Sequence, residues 1–403
     1  MENDGTTAGP ARLAQLGALW LLGIDLRLTI LAVPPVLPLI HADLHLDEKM
    51  VAALTGLPVL LFGLAAVPGS FLIALVGARR AALVGVLVVG IASCLRGIGP
   101  SVPMLFAMTV LMGTGVAVMQ PALPTLVGQW FPARVALATA VYANGLLIGE
   151  ILSASLTIPL VLPLVDDSWV ASFVVWGLLV LTSALPVIVF ASHGDRGAVR
   201  AAARWWPDWR DRRIWQLGLV QGGAGALYFG CNAFLPDYLH AIGQPSLTAA
   251  GLTALNASQL PASFFVMLLW RRIAGRRIPF VVAGVLGLAS LAGLLVPTAA
   301  SIIAAATFAG FASAFLLIIT LALPPLLAPP DEVHQLAAGM LTLGYTLTFI
   351  VPYLGGTIWD ATGRSETALL PGAIGMLIVI ALARTLKFDS TPLPFRGRGL
   401  PRT

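Results

Sequence analysis

Long apolar stretches alternate with short polar ones along the whole chain. A helix crosses the hydrocarbon core of a bilayer with about 20 apolar residues, and hydropathy predicts twelve segments long enough to do so. They lie at residues 13–40, 50–76, 81–99, 101–128, 134–162, 168–191, 214–240, 247–270, 277–297, 299–327, 333–359 and 366–388. The pattern therefore predicts an all-α polytopic membrane protein with twelve transmembrane helices.

The longest polar interruption, residues 192–213, divides these segments six and six. It carries six arginines and three tryptophans, two residue types that both settle at a membrane interface. We predict that it is a cytoplasmic linker between an N-terminal six-helix bundle, residues 1–191, and a C-terminal six-helix bundle, residues 214–403. A lipid-binding or partner-binding role for this stretch is the alternative.

Short sequences recur in the second half at a nearly constant spacing from the first. The sequence GARR at 77–80 is echoed by GRR at 275–277, and ALP at 122–124 returns as ALP at 322–324. Each echo is weak alone, but several in the same order indicate an internal duplication. The two bundles are therefore predicted to be parallel repeats, related by a pseudo-twofold axis along the membrane normal.

The charged residues predict how the chain lies in the membrane. Of the 23 lysines and arginines, 19 fall in stretches on one side of the predicted segments. The positive-inside rule places that side in the cytoplasm, together with both termini. The same clustering argues against nucleic acid as the partner of a chain with a net charge of +5. The polar start of the chain predicts no cleavable signal peptide.

Composition excludes most soluble classes of protein. The chain has 403 residues, of which 58% are hydrophobic and only 10% charged, far more apolar than a soluble domain. We find no catalytic motif, no phosphate-binding lysine motif and no metal-ligand grouping among the five histidines. The sequence therefore predicts neither an enzyme nor a cofactor or metal. Any movement of a solute across the membrane would then be driven by an ion or solute gradient and not by ATP.

Ionisable residues near the middle of a membrane span mark candidate functional sites, because burying a charge there costs about 2.5–3.5 kcal/mol or more. Asp25 and Arg27 lie near the middle of the first segment, two positions apart and so on different faces. We predict Arg27 as an anion contact in a central aqueous pocket, and Asp25 and Glu150 as candidate proton sites. Static ion pairing with other helices is the alternative. Arg96, near the end of its segment, is expected to snorkel to the interface in a structural role.

Polar stripes at helical spacing supply further candidates. Gln221, Tyr228 and Asn232 lie on one face of the seventh segment, and Glu150, Ser153 and Thr157 on one face of the fifth. Interhelical hydrogen bonding is the alternative explanation for such stripes. The predicted substrate-binding residues are Arg27, Gln120, Gln221, Tyr228, Asn232 and Tyr345.

Several of these stretches resemble a known family. The residues that carry the resemblance are Leu26-Arg27, PPVL at 34–37, LTGLPVL at 54–60, GARR at 77–80, QPALP at 120–124, LPDY at 235–238, Gly344-Tyr345 and Pro352. Together they resemble the cyanate/2-nitroimidazole permease family of the major facilitator superfamily, whose first-helix arginine Arg27 matches. The resemblance implies the major facilitator fold and a permease for a small anion or small polar molecule.

The sequence thus predicts a secondary transporter of the cell inner membrane, a monomer that moves a small anionic or polar solute such as a cyanate-like anion by alternating access. Protons are the candidate coupling ion, which would make it a symporter. The first alternative is an exporter of nitroimidazole or other drug-like compounds. A membrane receptor that transports nothing is the alternative from another class, and the short linker and tail speak against it.

Overall fold

The computed structural model describes residues 10–46, 48–98, 101–190, 205–273 and 275–385, and these ranges are helical nearly throughout, without a strand. The first helices are α1 (Pro10–Asp25), α2 (Val33–Leu44), α3 (Glu48–Leu64), α4 (Ala66–Val76), α5 (Ala78–Leu95), α6 (Val102–Trp130), α7 (Val135–Leu156), α8 (Leu162–Leu164) and α9 (Trp169–Phe190). The remaining helices are α10 (Arg212–Ala241), α11 (Thr248–Ala257), α12 (Gln259–Ile273), α13 (Ile278–Leu294), α14 (Ala299–Leu321), α15 (Pro324–Leu327), α16 (Val333–Thr362) and α17 (Leu370–Thr385).

Each of the twelve predicted segments corresponds to one long helix or to one broken helix, with ends that agree within a few residues. In the described ranges, eight helices are long and apolar enough to span a membrane, or nine when the bent pair α3 and α4 is counted as one span. The other three segments correspond to α1 with α2, to α10, and to α13, which is a shorter apolar helix. The all-α membrane architecture is thus confirmed.

The first segment is not the single helix that hydropathy predicts. Residues 26–32 between α1 and α2 form turns. Pro34 and Pro35 follow this stretch, and a proline has no backbone N–H to donate. The carbonyls of Ile30 and Leu31 would need those two donors in an unbroken helix, so the helix breaks. Val33 N donates to the Ile30 carbonyl at 3.3 Å instead.

The helices form two groups that meet along a central seam. In the first group α1 packs on α7 and α9, and α5 packs on α6 and α9. In the second, α10 packs on α14, α16 and α17, and α13 packs on α14 and α17. Contacts of α7 with α12 and α14, and of α3, α4 and α6 with α16, join the groups. The predicted boundaries at 191/192 and 213/214 stay predictions: residues 191–204 lie outside the described ranges, and α10 begins at Arg212.

Glycines allow α1 and α7 to touch along their backbones, as small residues do in membrane helix pairs. A β-carbon built on Gly145 would overlap the carbonyl oxygen of Trp20, and one built on Gly23 would overlap that of Tyr142. Since backbone atoms cannot move aside without separating the helices, neither position has room for a side chain.

We expect Gly145→Val to lower the stability of the folded protein by at least about 2 kcal/mol, because overpacking here separates α1 from α7. The thermal unfolding midpoint in detergent, followed by tryptophan fluorescence, measures the effect. Gly17→Val is the matched control, because a β-carbon at Gly17 meets nothing within 4 Å. Equal midpoints for the two variants would contradict the close approach.

One end of the bundle gathers the arginines at the helix ends. Arginine side chains cap carbonyls of neighbouring helices there: Arg79 Nη2 donates to Ile188 at 2.8 Å, Arg213 Nη1 to Leu327 at 2.5 Å and Arg277 Nη1 to Arg384 at 3.1 Å. We call this end, which includes the start of α1, the arginine-rich face. Of the predicted linker 192–213, residues 205–213 are described, and the Trp205 ring packs edge-on against Phe71 of α4, with centroids 5.0 Å apart.

Candidate functional site

A cavity lies between the two helix groups. Its wall is formed by the turn between α1 and α2 and by α7, α10, α12, α14 and α16. The polar residues in the wall are Arg27, Glu150, Gln221, Tyr228, Gln259, Ser313, Tyr345 and Thr348. Five of the residues proposed from the sequence, Arg27, Glu150, Gln221, Tyr228 and Tyr345, are therefore brought together. The other three, Asp25, Gln120 and Asn232, do not line the cavity.

Arg27 reaches the cavity from the broken part of the first segment. Its carbonyl accepts hydrogen bonds from Ile30 N and Leu31 N, at 3.1 and 3.0 Å, which tighten the turn after α1. Broken helices in a membrane are tolerated where they are buried in protein or line a water-filled cavity. The turn therefore places a cation at the point where the two helix groups meet.

The Arg27 guanidinium forms an ion pair with Glu150 of α7. Its Nε lies 3.1 Å from Glu150 Oε1, without the alignment of a directed hydrogen bond. The guanidinium carbon also lies 4.9 Å from the centroid of the Phe62 ring. The side chain of Arg27 is 8% exposed and that of Glu150 is 20% exposed, so both reach the cavity while largely shielded. Removing one partner of such a buried pair costs about 3–5 kcal/mol.

Tyr345 extends this cluster across the seam. Arg27 Nη2 donates to the Tyr345 hydroxyl at 3.5 Å, and that hydroxyl donates to Gln120 Oε1 at 3.0 Å. The Phe62 ring packs edge-on against Tyr345, with centroids 5.2 Å apart. Gln120 therefore acts on the cavity through Tyr345, as a support for the hydroxyl that faces Arg27.

Glu150 is the only residue of its predicted stripe that lines the cavity. Ser153 Oγ donates to the Gly149 carbonyl at 3.1 Å, and Thr157 Oγ1 accepts from Trp176 Nε1 at 3.0 Å. Both hydroxyls are fully buried and satisfied by their own bundle. Interhelical hydrogen bonding thus describes Thr157, and Ser153 bonds within its own helix, whereas Glu150 lines the cavity.

The polar stripe on α10 also combines residues that line the cavity, Gln221 and Tyr228, with one that does not, Asn232. The Tyr228 hydroxyl donates to Asn256 Oδ1 at 2.7 Å, and Asn256 Nδ2 donates to Asn232 Oδ1 at 3.1 Å. Asn232 Nδ2 closes the network on the Tyr228 carbonyl at 3.0 Å. Tyr228 therefore lines the cavity in a fixed orientation, and Asn232 lies behind it as part of the network that fixes it.

Gln221 lies about two helical turns before Tyr228 on α10. The residue is 3% exposed, and its side-chain oxygen, Oε1, accepts no hydrogen bond from the described residues. A buried acceptor without a partner costs about 1–3 kcal/mol. A solute that brings an N–H or O–H donor to this part of the wall would remove that penalty.

Asp25 faces away from the cavity. It is 2% exposed, and its Oδ2 accepts a hydrogen bond from Ser183 Oγ of α9. Its position two residues before Arg27 predicted different faces for the two side chains, and their partners lie in different helices. The structure places Asp25 inside the first helix group.

Gln259, which lines the cavity, and Phe62, which contacts Arg27, were not among the predicted site residues. Gln259 begins α12, in the break of the eighth segment, and an amide in the middle of an apolar segment is a signal that could have found it. Phe62 is an apolar residue in an apolar helix, so nothing in its pattern distinguishes it. Within the described ranges, no three His, Cys, Asp or Glu side chains come together to hold a metal ion.

Some contacts between the helix groups lie toward the arginine-rich face. Ser70 Oγ of α4 lies 2.8 Å from His334 Nδ1 of α16, and Asn144 Nδ2 of α7 donates to Ser263 Oγ of α12 at 2.9 Å. Gly128 of α6 packs against Pro325 of α15. Together with the cluster around Arg27, these contacts lie at the level of the cavity or between it and the arginine-rich face.

Known structures share this architecture. The chain superposes on the outward conformation of the transporter FucP with a TM-score of 0.74, covering 93% of this chain and 99% of that one at 15% identity. It superposes on the human organic anion transporter TETRAN with a TM-score of 0.74, covering 93% and 100% at 14% identity. At this level of identity the likeness shows the fold, which is the predicted major facilitator fold with two six-helix halves.

Sequence relatives cover nearly the whole chain. It is 26% identical to the cyanate transport protein CynX of Escherichia coli, over 93% of this chain and 97% of the relative. It is 27% identical to the 2-nitroimidazole transporter of Escherichia coli, over 94% and 96%, and 25% identical to the transporter YycB of Bacillus subtilis, over 90% of each. Residues 19–257, more than half of the chain, match the family model of the Major Facilitator Superfamily, and the chain belongs to that superfamily.

Proposed function

We propose that the protein is a secondary active transporter that carries a small anionic or polar solute through the central cavity, with Arg27 as the anion contact. The observation that carries the proposal is the placement of one guanidinium in the cavity wall, at the seam between the helix groups. A solute bound there touches both groups, since Arg27 belongs to the first and Gln221, Tyr228 and Tyr345 to the second. A rocking motion of one group against the other would then expose the solute to either side.

Glu150 supplies a means of proton coupling in this proposal. In the absence of solute, its carboxylate neutralises Arg27. An anion that takes over the guanidinium leaves the carboxylate without its cation in a shielded site, where the charged form is unfavourable unless a proton is taken up. Anion and proton would therefore enter together, as in a symporter. Glu150 suits this role better than Asp25, which lies outside the cavity wall.

The cavity wall also favours a class of solute. Arg27 favours an anionic group, and the unpartnered Gln221 Oε1 favours a hydrogen-bond donor on the same molecule. The relatives that share nearly the full length of the chain are transporters of cyanate and of 2-nitroimidazole, a small anion and a small N–H heterocycle. We infer a small monoanionic or polar solute, and the free Gln221 Oε1 favours one that also carries an N–H or O–H group.

The orientation of the chain belongs to the same proposal. With the arginine-rich face in the cytoplasm, as the positive-inside rule requires, both termini are cytoplasmic and the protein lies in the inner membrane. The contacts between the helix groups on the arginine-rich side favour an outward-facing state in this proposal. We propose that a monomer suffices, because one chain supplies the residues on both sides of the cavity.

Uptake by proteoliposomes of the purified protein tests the proposal. The solutes are cyanate, 2-nitroimidazole, imidazole-4-carboxylate and 1-methylimidazole-4-carboxylate, each offered with and without an inward proton gradient. We expect at least one of the first three to accumulate above empty liposomes, with more uptake when the outside is acidic. Methylation of the ring nitrogen, which removes the donor, should reduce uptake of the carboxylate. Failure of every solute to exceed empty liposomes would contradict the proposed substrate class.

Export of nitroimidazole or other drug-like compounds is the second candidate, and the similarity to the 2-nitroimidazole transporter favours it. Cells that express the protein separate the two directions. Tolerance to 2-nitroimidazole in those cells supports export, and sensitisation supports import.

A further inference from the structure

Arg96 is a buried arginine that the proposed transport mechanism does not use. It follows α5, and the structure contradicts the expectation that it snorkels to the interface, because the residue is 0% exposed. No carboxylate forms an ion pair with it among the described residues. Its Nε donates to Thr109 Oγ1 at 3.2 Å, and its guanidinium carbon lies 4.9 Å from the centroid of the Phe173 ring. A cation held away from water by neutral groups alone is costly, so its place calls for a physical reason.

The reason lies in the broken first segment. Arg96 Nη1 donates to the carbonyl of Thr29 at 3.1 Å. In an unbroken helix this carbonyl would accept from Val33 N, but Val33 N donates to Ile30. Since a buried backbone carbonyl within a membrane needs a partner, Arg96 replaces the donor that the break removes.

The turn that Arg96 supports is the turn that carries Arg27. Thr29 lies two residues after Arg27, and the Arg27 carbonyl accepts hydrogen bonds from Ile30 N and Leu31 N, the two residues that follow Thr29. Arg96 itself is held by α6 through Thr109, whose hydroxyl donates to the Leu105 carbonyl at 2.7 Å. The shape of the turn, and with it the direction in which the Arg27 side chain leaves the backbone, therefore depends on a residue from outside the cavity.

We propose that Arg96 is a positioning residue: its hydrogen bond to Thr29 holds the turn between α1 and α2 in the shape that points the Arg27 guanidinium at Glu150 and the cavity. The inference rests on the proposed function in one respect, since the effect on solute affinity requires Arg27 to bind the solute. The effect on the turn itself does not.

Two measurements on the full-length protein in lipid nanodiscs test the turn without any transported solute. The first is amide hydrogen exchange of peptides that cover residues 26–32. The second is the rate at which phenylglyoxal, an arginine reagent, labels Arg27, read by mass spectrometry. In Arg96→Met we expect about tenfold faster exchange, because the turn opens more often, and faster labelling of Arg27, because its ion pair loosens. Arg96→Lys, which keeps an N–H donor, should restore much of the wild-type behaviour in both.

Arg79→Met is the matched control, because Arg79 also donates to a backbone carbonyl, that of Ile188 at the arginine-rich face. It should leave exchange at 26–32 and labelling of Arg27 at wild-type rates. Should Arg96→Met fail to fold, Thr109→Val decides the matter: it removes the acceptor of Arg96 Nε and should shift both rates in the same direction by less. Wild-type rates in folded Arg96→Met or, failing that, in Thr109→Val would overturn the inference. So would equal increases in Arg79→Met.

Uptake separates this inference from the proposed function. If Arg96 acts through Arg27, Arg96→Met should raise KM more than it lowers the maximal rate. If Arg27→Ala alone leaves uptake unchanged, the substrate-binding role of Arg27 fails, whereas the exchange and labelling results still decide whether Arg96 holds the turn.

Discussion

Replacing Arg27 with alanine is expected to abolish uptake while the protein still folds. The substitution removes the anion contact and leaves Glu150 without its cation, so both the attraction for an anion and the local charge balance are lost. Truncating one partner of a buried charge pair in a binding site costs about 2–5 kcal/mol, which corresponds to a fall of about 30-fold or more in uptake at limiting solute concentration. Initial rates in proteoliposomes measure it, with the solute that the wild-type protein accumulates.

The control for this experiment is Arg364→Ala. Arg364 also forms an ion pair, with Glu366 at 2.6 Å, but the pair is exposed and lies beyond the end of α16, outside the cavity wall. Uptake by this variant should match the wild type. Arg27→Lys should fall between the two, because an ammonium keeps the charge but not the planar fork of donors. Wild-type uptake by folded Arg27→Ala would exclude Arg27 as the anion contact.

Glu150→Gln is expected to uncouple transport from protons. The amide cannot take up a proton when an anion displaces it from Arg27, so solute movement no longer depends on the proton gradient. Accumulation against a solute gradient should fall by at least about tenfold, a change of about 1.4 kcal/mol, whereas exchange of labelled for unlabelled solute should persist. Uptake by the wild type should rise as the outside pH falls, and the profile of the variant should be flat.

Glu366→Gln supplies the matched control, because it neutralises the partner of Arg364 in an exposed ion pair away from the cavity. Its pH profile should follow that of the wild type. A pH-dependent, concentrative uptake by Glu150→Gln would remove Glu150 from the coupling mechanism and return attention to Asp25 and its hydrogen bond with Ser183.

Hydropathy was sufficient to predict the twelve segments, because each span must bury about 20 apolar residues and the chain contains little else. It was not sufficient to predict where helices break. Pro34 and Pro35 carried that signal, since each removes a backbone donor, but an average over a window of apolar residues does not register a missing N–H. The turn that presents Arg27 therefore emerges only in the structure.

The candidate site was predictable as a set of polar residues and not as an arrangement. Depth in the membrane singled out Arg27 and Glu150, but a single sequence contains no information on pairing between residues 123 positions apart. For the same reason, the sequence did not distinguish Gln120 and Asn232 from the residues that line the cavity. In the structure these two residues support Tyr345 and Tyr228 from behind the wall. Asp25 and Arg27 do have different partners, as expected, but helical spacing is not the reason, because the helix ends at Asp25 and Arg27 lies in the turn that follows.

The most direct test of the central claim is an experimental structure of the protein with its transported solute bound. The account predicts solute density in the cavity between the helix groups, with its anionic group within hydrogen-bond distance of the Arg27 guanidinium and the Glu150 carboxylate displaced from it. Solute bound elsewhere, with Arg27 still paired to Glu150 and sealed away from water, would contradict the account.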